Sequence, residues 1–142
     1  MTVLYLDANA IAKLYLSDEE GQERVFAALD QHQTVATCAI TYAEVTGLIA
    51  RAFHDARLTE EQYAEAIASF AEEWTSVTVL DVSTPLSQVA AMLMKAHKGL
   101  RAMDALHLAS ALALRGNTAI RFLTFDAHLK TVAGRLMPDA VS

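Results

Sequence analysis

Leu100-Arg-Ala-Met-Asp104-Ala-Leu-His107-Leu-Ala-Ser110-Ala-Leu-Ala-Leu114 is apolar on almost every face from Ala102 onward. A helix of that composition is buried all round, without the solvated back of an amphipathic one. Asp104 nevertheless sits inside it. A carboxylate so placed costs several kcal/mol to desolvate unless it is paired, hydrogen-bonded or bound to a cation. His107 and Ser110 follow at three-residue spacing, which puts them on roughly the same flank as the aspartate. That flank therefore borders a site, and other parts of the chain must supply its remaining charges.

Working outward from this helix, apolar runs alternate with helical patterns along the whole chain. Val3 to Leu6 reads as a buried strand ending at Asp7, with a helix from Asp7 through Leu16. Ser17 to Glu20 has the form of a capping box opening a helix towards Gln31. Thr34 to Ile40 is strand-like, and Thr41 to Glu44 is a further capping box, for a helix to about Ala56. Thr59 to Gln62 opens another, whose Tyr63, Ile67, Phe70 and Trp74 make an apolar stripe that suits the core, with part of it free to face a partner chain. Val77 to Val82 is strand-like, and Thr84-Pro85 supplies a cap with proline at the first helical position of a helix to Lys98. Gly99 breaks that helix before the Asp104 helix begins. Ala119 to Phe125 is the last strand, followed by a helix from Asp126 to Leu136. Strands separated by helices, with connections too long for hairpins, predict an α/β fold: a three-layer α/β/α sandwich around a mainly parallel sheet of four to five strands.

The chain has 142 residues, 54% hydrophobic, with few glycines and prolines. That length suits a single domain over 1–142, and that composition argues against disorder. Cys38 has no partner in the chain, so it reads as a buried thiol suited to a reducing cytoplasm. The N-terminus lacks the pattern of a secretory signal, and the most apolar helix is too short and too interrupted to span a bilayer. A net charge of -6 argues against broad, nonspecific nucleic-acid binding. Charge is uneven, however: Leu58 to Met94 holds no lysine or arginine, whereas Lys95, Lys98 and Arg101 lead directly into the Asp104 helix. A basic approach to an acidic centre suits a phosphodiester substrate, although cations at a helix C-terminus also simply complement its dipole.

Asp7, Glu44, Asp104 and Asp126 all fall at strand ends or in first helical turns. In a parallel sheet such positions share one edge, where ligands bind. Singly, each has a structural explanation as a cap or a first-turn acid. Together they do not, because two carboxylates about 4 Å apart repel by about 4 kcal/mol at an effective dielectric of about 20. Such oxygen donors suit Mg²⁺ or Mn²⁺, and a centre of that kind activates water for in-line attack on phosphorus. There is no glycine-rich phosphate loop and no zinc spacing. Asp104, His107 and Ser110 on one helix cannot form a nucleophilic triad, so His107 reads as a packed or hydrogen-bonded histidine.

The segments Val3-Leu-Tyr-Leu-Asp7-Ala-Asn9-Ala, Ile40-Thr-Tyr-Ala-Glu44-Val, Leu100 to Ala109 and Phe122-Leu-Thr124-Phe-Asp126-Ala-His-Leu resemble, in order, the sequence blocks of PIN-domain proteins. The resemblance is closest to the VapC toxins of toxin–antitoxin pairs. It implies a metal-dependent, single-strand-specific endoribonuclease in which Asp7, Glu44, Asp104 and Asp126 are catalytic and Asp7, Asp104 and Asp126 hold Mg²⁺ or Mn²⁺. Asn9 would orient the first aspartate or a metal water, Thr124 would support the last acid, and Arg101 and Lys98 would approach substrate phosphate. It further implies an RNA substrate, a cognate VapB-like antitoxin and a homodimer. The alternatives are a catalytically silent PIN-like module that binds RNA or protein, and a housekeeping RNA or DNA nuclease with the same centre.

Overall fold

The computed structural model describes residues 1–17 and 20–141. In chain order the elements are β1 (Thr2–Leu6), α1 (Ala8–Ala12), α2 (Gln22–Gln31), β2 (Thr34–Cys38), α3 (Thr41–His54), α4 (Glu60–Trp74), β3 (Thr78–Leu80), α5 (Thr84–Ala96), α6 (Ala102–Arg115), β4 (Ala119–Leu123) and α7 (Ala127–Leu136). Among the described residues the sheet has four strands in the order β3-β2-β1-β4. Every pairing is parallel, with Tyr5 opposite Ala36 on one side and Phe122 on the other.

The alternation along β1 divides the interior into two cores. Val3 and Tyr5 face α5, α6 and α7, where Leu93, Leu108 and Leu129 meet them. Leu4 and Leu6 face α1, α2, α3 and α4, packing with Ile11, Val25, Ile49 and Phe70. Burial on both faces is what helical crossovers on both sides of a parallel sheet require, and the three-layer α/β/α sandwich expected from the sequence is the architecture found. The stripe of α4 belongs to the second core: Phe70 is fully buried, and Trp74 stacks edge-on against Tyr42 and Phe70. Cys38 is a buried free thiol. No helix among the described residues is long and apolar enough to cross a membrane.

Several boundaries differ from the sequence reading, each for a local reason. The first helix stops at Ala12, not Leu16, because three-residue turns close onto Ile11 and Ala12 and carry Leu16 into the core. The capping box read at Ser17 to Glu20 runs across Asp18 and Glu19, which lie outside the described residues. The following helix begins at Gln22, after Gly21. Gly21 has a φ of +89°, and a Cβ there would come within 2.5 Å of the Phe125 ring, so both its conformation and the close approach demand glycine. At α5 the cap is Ser83, which accepts a hydrogen bond from the Leu86 amide, so Pro85 occupies the second helical position. That helix ends at Ala96 rather than Lys98. The box at Thr59 and Gln62 forms as read, with both reciprocal bonds present.

The second, third and fourth strands each end short of the apolar run that marks them. Beyond Pro138, where the sequence is silent, Val141 forms an isolated parallel bridge with Phe122. The fourth strand's free edge is thereby partly covered.

The asymmetry of burial in α6 also refines the sequence reading. Ala105 and the segment from His107 to Ala111 are buried, but Met103 in its first turn is half exposed. The helix enters the protein from solvent, and Asp104 stands at the point of entry.

Candidate active site

Asp7 is the most constrained of the acids. It directly follows the central strand β1, is buried, and caps α1 by accepting a hydrogen bond from the Ala10 amide on Oδ1 at 3.0 Å. Its other oxygen accepts from the Thr124 hydroxyl at 2.5 Å. Thr124 lies just past β4, and its Oγ also receives the Asp126 amide at 3.1 Å. Asp126 in turn caps α7 through the Leu129 amide at 2.8 Å. Capping and site-building are therefore combined in Asp7 and Asp126: each spends one carboxylate oxygen on a helix.

Glu44 is different. The capping box read at Thr41 to Glu44 does not form; the cap position is Ile40, without a side-chain bond. The Thr41 hydroxyl instead pairs with that of Thr37 at 2.7 Å inside the fold. Glu44 is thereby released from its own helix, and its Oε1 lies 2.8 Å from His107 Nε2. The other ring nitrogen lies 2.8 Å from the Tyr5 hydroxyl. Burial holds the Tyr5 phenol well above its usual range, so it stays protonated beside the ring. The Glu44 carboxylate can only accept, so the ring donates to it through Nε2–H. His107 is a hydrogen-bonded core histidine, as the sequence suggested. Ser110, expected on the site flank, turns back onto the Leu106 carbonyl.

Electrostatically the four acids form one group. Burial raises the Asp7 carboxyl above its ordinary value, opposed by Thr124, the Ala10 amide and His107, and reinforced by Glu44. Asp104 is raised by burial first, then by Asp126 and, more weakly, by Asp7, with Arg101 and His107 acting against the shift. The charge that meets Asp104 is therefore partly Arg101, three residues upstream at the start of its own helix. Lys98 is exposed on the connection between α5 and α6, and no ion pair ties it to the acids among the described residues. Asn9 is exposed and lines a groove with Glu44; Thr124 and the Ala10 amide, rather than Asn9, orient Asp7.

The donor chemistry fits a hard divalent cation. Every candidate group is a carboxylate, and their mutual repulsion is what a cation among them would relieve. Among the described residues no three side chains already form a closed metal cage. An apolar cavity lined by Leu6, Ile11, Tyr15, Phe70 and Trp74 contains none of the four acids.

Fold and site together define a class: an α/β/α sandwich whose parallel sheet presents a buried aspartate and three further carboxylates along its carboxyl edge. Residues 4–135 match the family model of the PIN domain, and the chain belongs to that family. It is 33% identical over 133 residues to the Mycobacterium tuberculosis protein named ribonuclease VapC45, covering 94% of this chain and 90% of that one. Among solved structures, it resembles a toxin–antitoxin complex from Klebsiella pneumoniae with a TM-score of 0.68 at 19% identity, over 98% of this chain and 95% of that one. It also resembles Mycobacterium tuberculosis VapC20, described as a sarcin-ricin loop cleaving toxin, with a TM-score of 0.67 at 19% identity, over 90% and 93% of the two chains. At that identity the structural likeness concerns the fold.

Proposed function

We propose that the protein is an endoribonuclease, the toxin of a VapBC-type toxin–antitoxin pair, that cuts single-stranded RNA at the carboxylate edge of its sheet. The observation that carries this reading is that Glu44 makes no cap and is held instead by His107 Nε2, where its charge acts on the buried Asp7. Capping explains one oxygen each of Asp7 and Asp126, but it does not explain Glu44. Family membership and the ribonuclease name of a relative at 33% identity support the substrate class.

Asp7, Asp104 and Asp126 would hold Mg²⁺ or Mn²⁺, which supplies charge neutralisation at the phosphate and acidifies an attacking water. The chain's own residues do the rest. Thr124 and the Ala10 amide fix the direction of Asp7, so its carboxylate needs no reorganisation when substrate arrives. Glu44, aimed by His107, accepts the proton of the attacking water. Arg101 stands beside Asp104 and offers its guanidinium to a phosphate oxygen, with Lys98 contributing longer-range attraction.

A cognate antitoxin would silence the enzyme by covering the acidic edge. The exposed apolar side chains of Val89 and Met92 on α5 and Met103 on α6 favour a homodimer, since such groups gain by being covered.

The test is incubation of the purified protein with RNA and DNA oligonucleotides of the same sequences in Mg²⁺ or Mn²⁺, with a parallel arm in EDTA. Cutting of RNA alone, abolished by EDTA, is expected. Cutting of DNA, or of RNA in EDTA, contradicts the reading.

A further inference from the structure

A groove leads away from the acids along α3. Glu44, Gly47, Leu48 and Arg51 occupy one face of that helix at intervals of three, four and seven residues, and together with Ala8 and Asn9 they line one cavity. A second cavity continues the first: it shares Asn9, Leu48 and Arg51 and adds Lys13 and Arg57. The two cavities thus share Arg51, whose guanidinium lines the groove that begins at Glu44.

Gly47 supplies an independent observation. A glycine inside a helix is less favourable than alanine by about 1 kcal/mol. Its φ is not among the positive ones, and a Cβ built on it would meet nothing within 4 Å. Neither backbone conformation nor packing requires glycine there. An occupant of the groove would.

We propose that this α3 groove receives the sugar–phosphate backbone of single-stranded RNA next to the bond being cut, with Arg51 pairing a phosphate and Gly47 leaving room for the strand to pass. The proposal rests on the ribonuclease reading above. Seven residues of helix separate Arg51 from Glu44 by about 10 Å, so Arg51 meets a phosphate away from the reacting one and acts in binding. A guanidinium suits that role because it grips phosphate with two parallel hydrogen bonds. Cationic contacts to the backbone are also how single strands are held without reading every base.

The experiment is fluorescence anisotropy with a fluorescein-labelled, random-sequence RNA decamer in EDTA across a salt series, with thermal melts of each variant. Arg51→Ala is expected to weaken binding several-fold and to reduce the slope of log K against log salt by about 0.7, the value for one single-strand phosphate contact. Arg51→Lys should keep the slope. Gly47→Ala should melt higher than the unsubstituted protein, and Gly47→Phe should fold yet bind several-fold more weakly. Absence of RNA binding by the unsubstituted protein, or an unchanged affinity and slope in Arg51→Ala, overturns the proposal. A parallel cleavage assay in Mg²⁺ or Mn²⁺ separates the two readings. Cutting with unchanged KM in Arg51→Ala removes the groove and leaves the ribonuclease. Arg51-dependent binding without any cutting removes the ribonuclease.

Discussion

His107 Nε2 lies 2.8 Å from Glu44 Oε1, joining two residues 63 positions apart. Through its other nitrogen the same ring reaches the Tyr5 hydroxyl on the central strand. One buried imidazole therefore fixes an acid at the mouth of the site to the innermost layer of the protein. His107→Ala should lower kcat about 10-fold or more with little change in KM, because Glu44 loses its direction while the phosphate contacts remain. It should also destabilise the fold by about 1–3 kcal/mol, since the buried Tyr5 hydroxyl loses its bond to the ring. Adding Tyr5→Phe should recover part of the stability and none of the rate. Urea melts and single-turnover cleavage measure the two effects separately.

Asp7 makes a prediction about pH. Its carboxyl is raised by burial in the folded protein, so the native state keeps a proton that the unfolded chain has already released. In metal-free solution, stability should therefore fall as pH rises from the ordinary carboxylate range through the raised value. Asp7→Asn should flatten that dependence and melt higher than the native protein at pH 7 in EDTA. Asparagine still caps α1 through the Ala10 amide, and the uncharged amide needs no cation. Cleavage should be lost. A variant that melts lower, in EDTA and at pH 7, would instead favour a purely structural aspartate.

Thr124 is the hinge between two acids, donating to Asp7 and accepting from the Asp126 amide. Thr124→Val keeps the shape and removes both bonds. The Asp7 carboxyl should move further upward, and the rise in melting temperature on adding Mg²⁺ or Mn²⁺ should shrink, because ligand stabilisation tracks affinity by mass action. Thr124→Ser should restore most of it. Differential scanning fluorimetry with and without metal reads this directly.

Much of this was legible in the sequence, and the exceptions share a cause. Val3 to Leu6 and Ala119 to Phe125 announce themselves as strands because β-branched and apolar residues run unbroken, and their flanking acids mark the sheet edge. The box at Thr59 and Gln62 forms because both side chains are exposed and have nothing better to bind. The identical pattern at Thr41 and Glu44 fails because Thr37 and His107, distant in sequence or on another element, compete for the same groups. Local pattern cannot reveal such competitors. Arg51 was invisible for a related reason: its position relative to Asn9 depends on how α1 packs against α3. Gly21 and Phe125 likewise meet only in the folded chain, 104 positions apart by number, where the glycine lets the ring approach.

The most direct measurement is single-turnover cleavage of a structured RNA pool by Asp104→Asn beside the unsubstituted protein, at matched fold content, in Mg²⁺ or Mn²⁺. Asp104 caps no helix by its side chain, so its loss should leave the melt intact or raise it. The four-acid centre predicts a rate at least 100-fold lower for the variant, an effect of about 2.7 kcal/mol or more on the barrier. Equal rates in a folded, metal-loaded Asp104→Asn protein would contradict that centre as the seat of RNA cleavage.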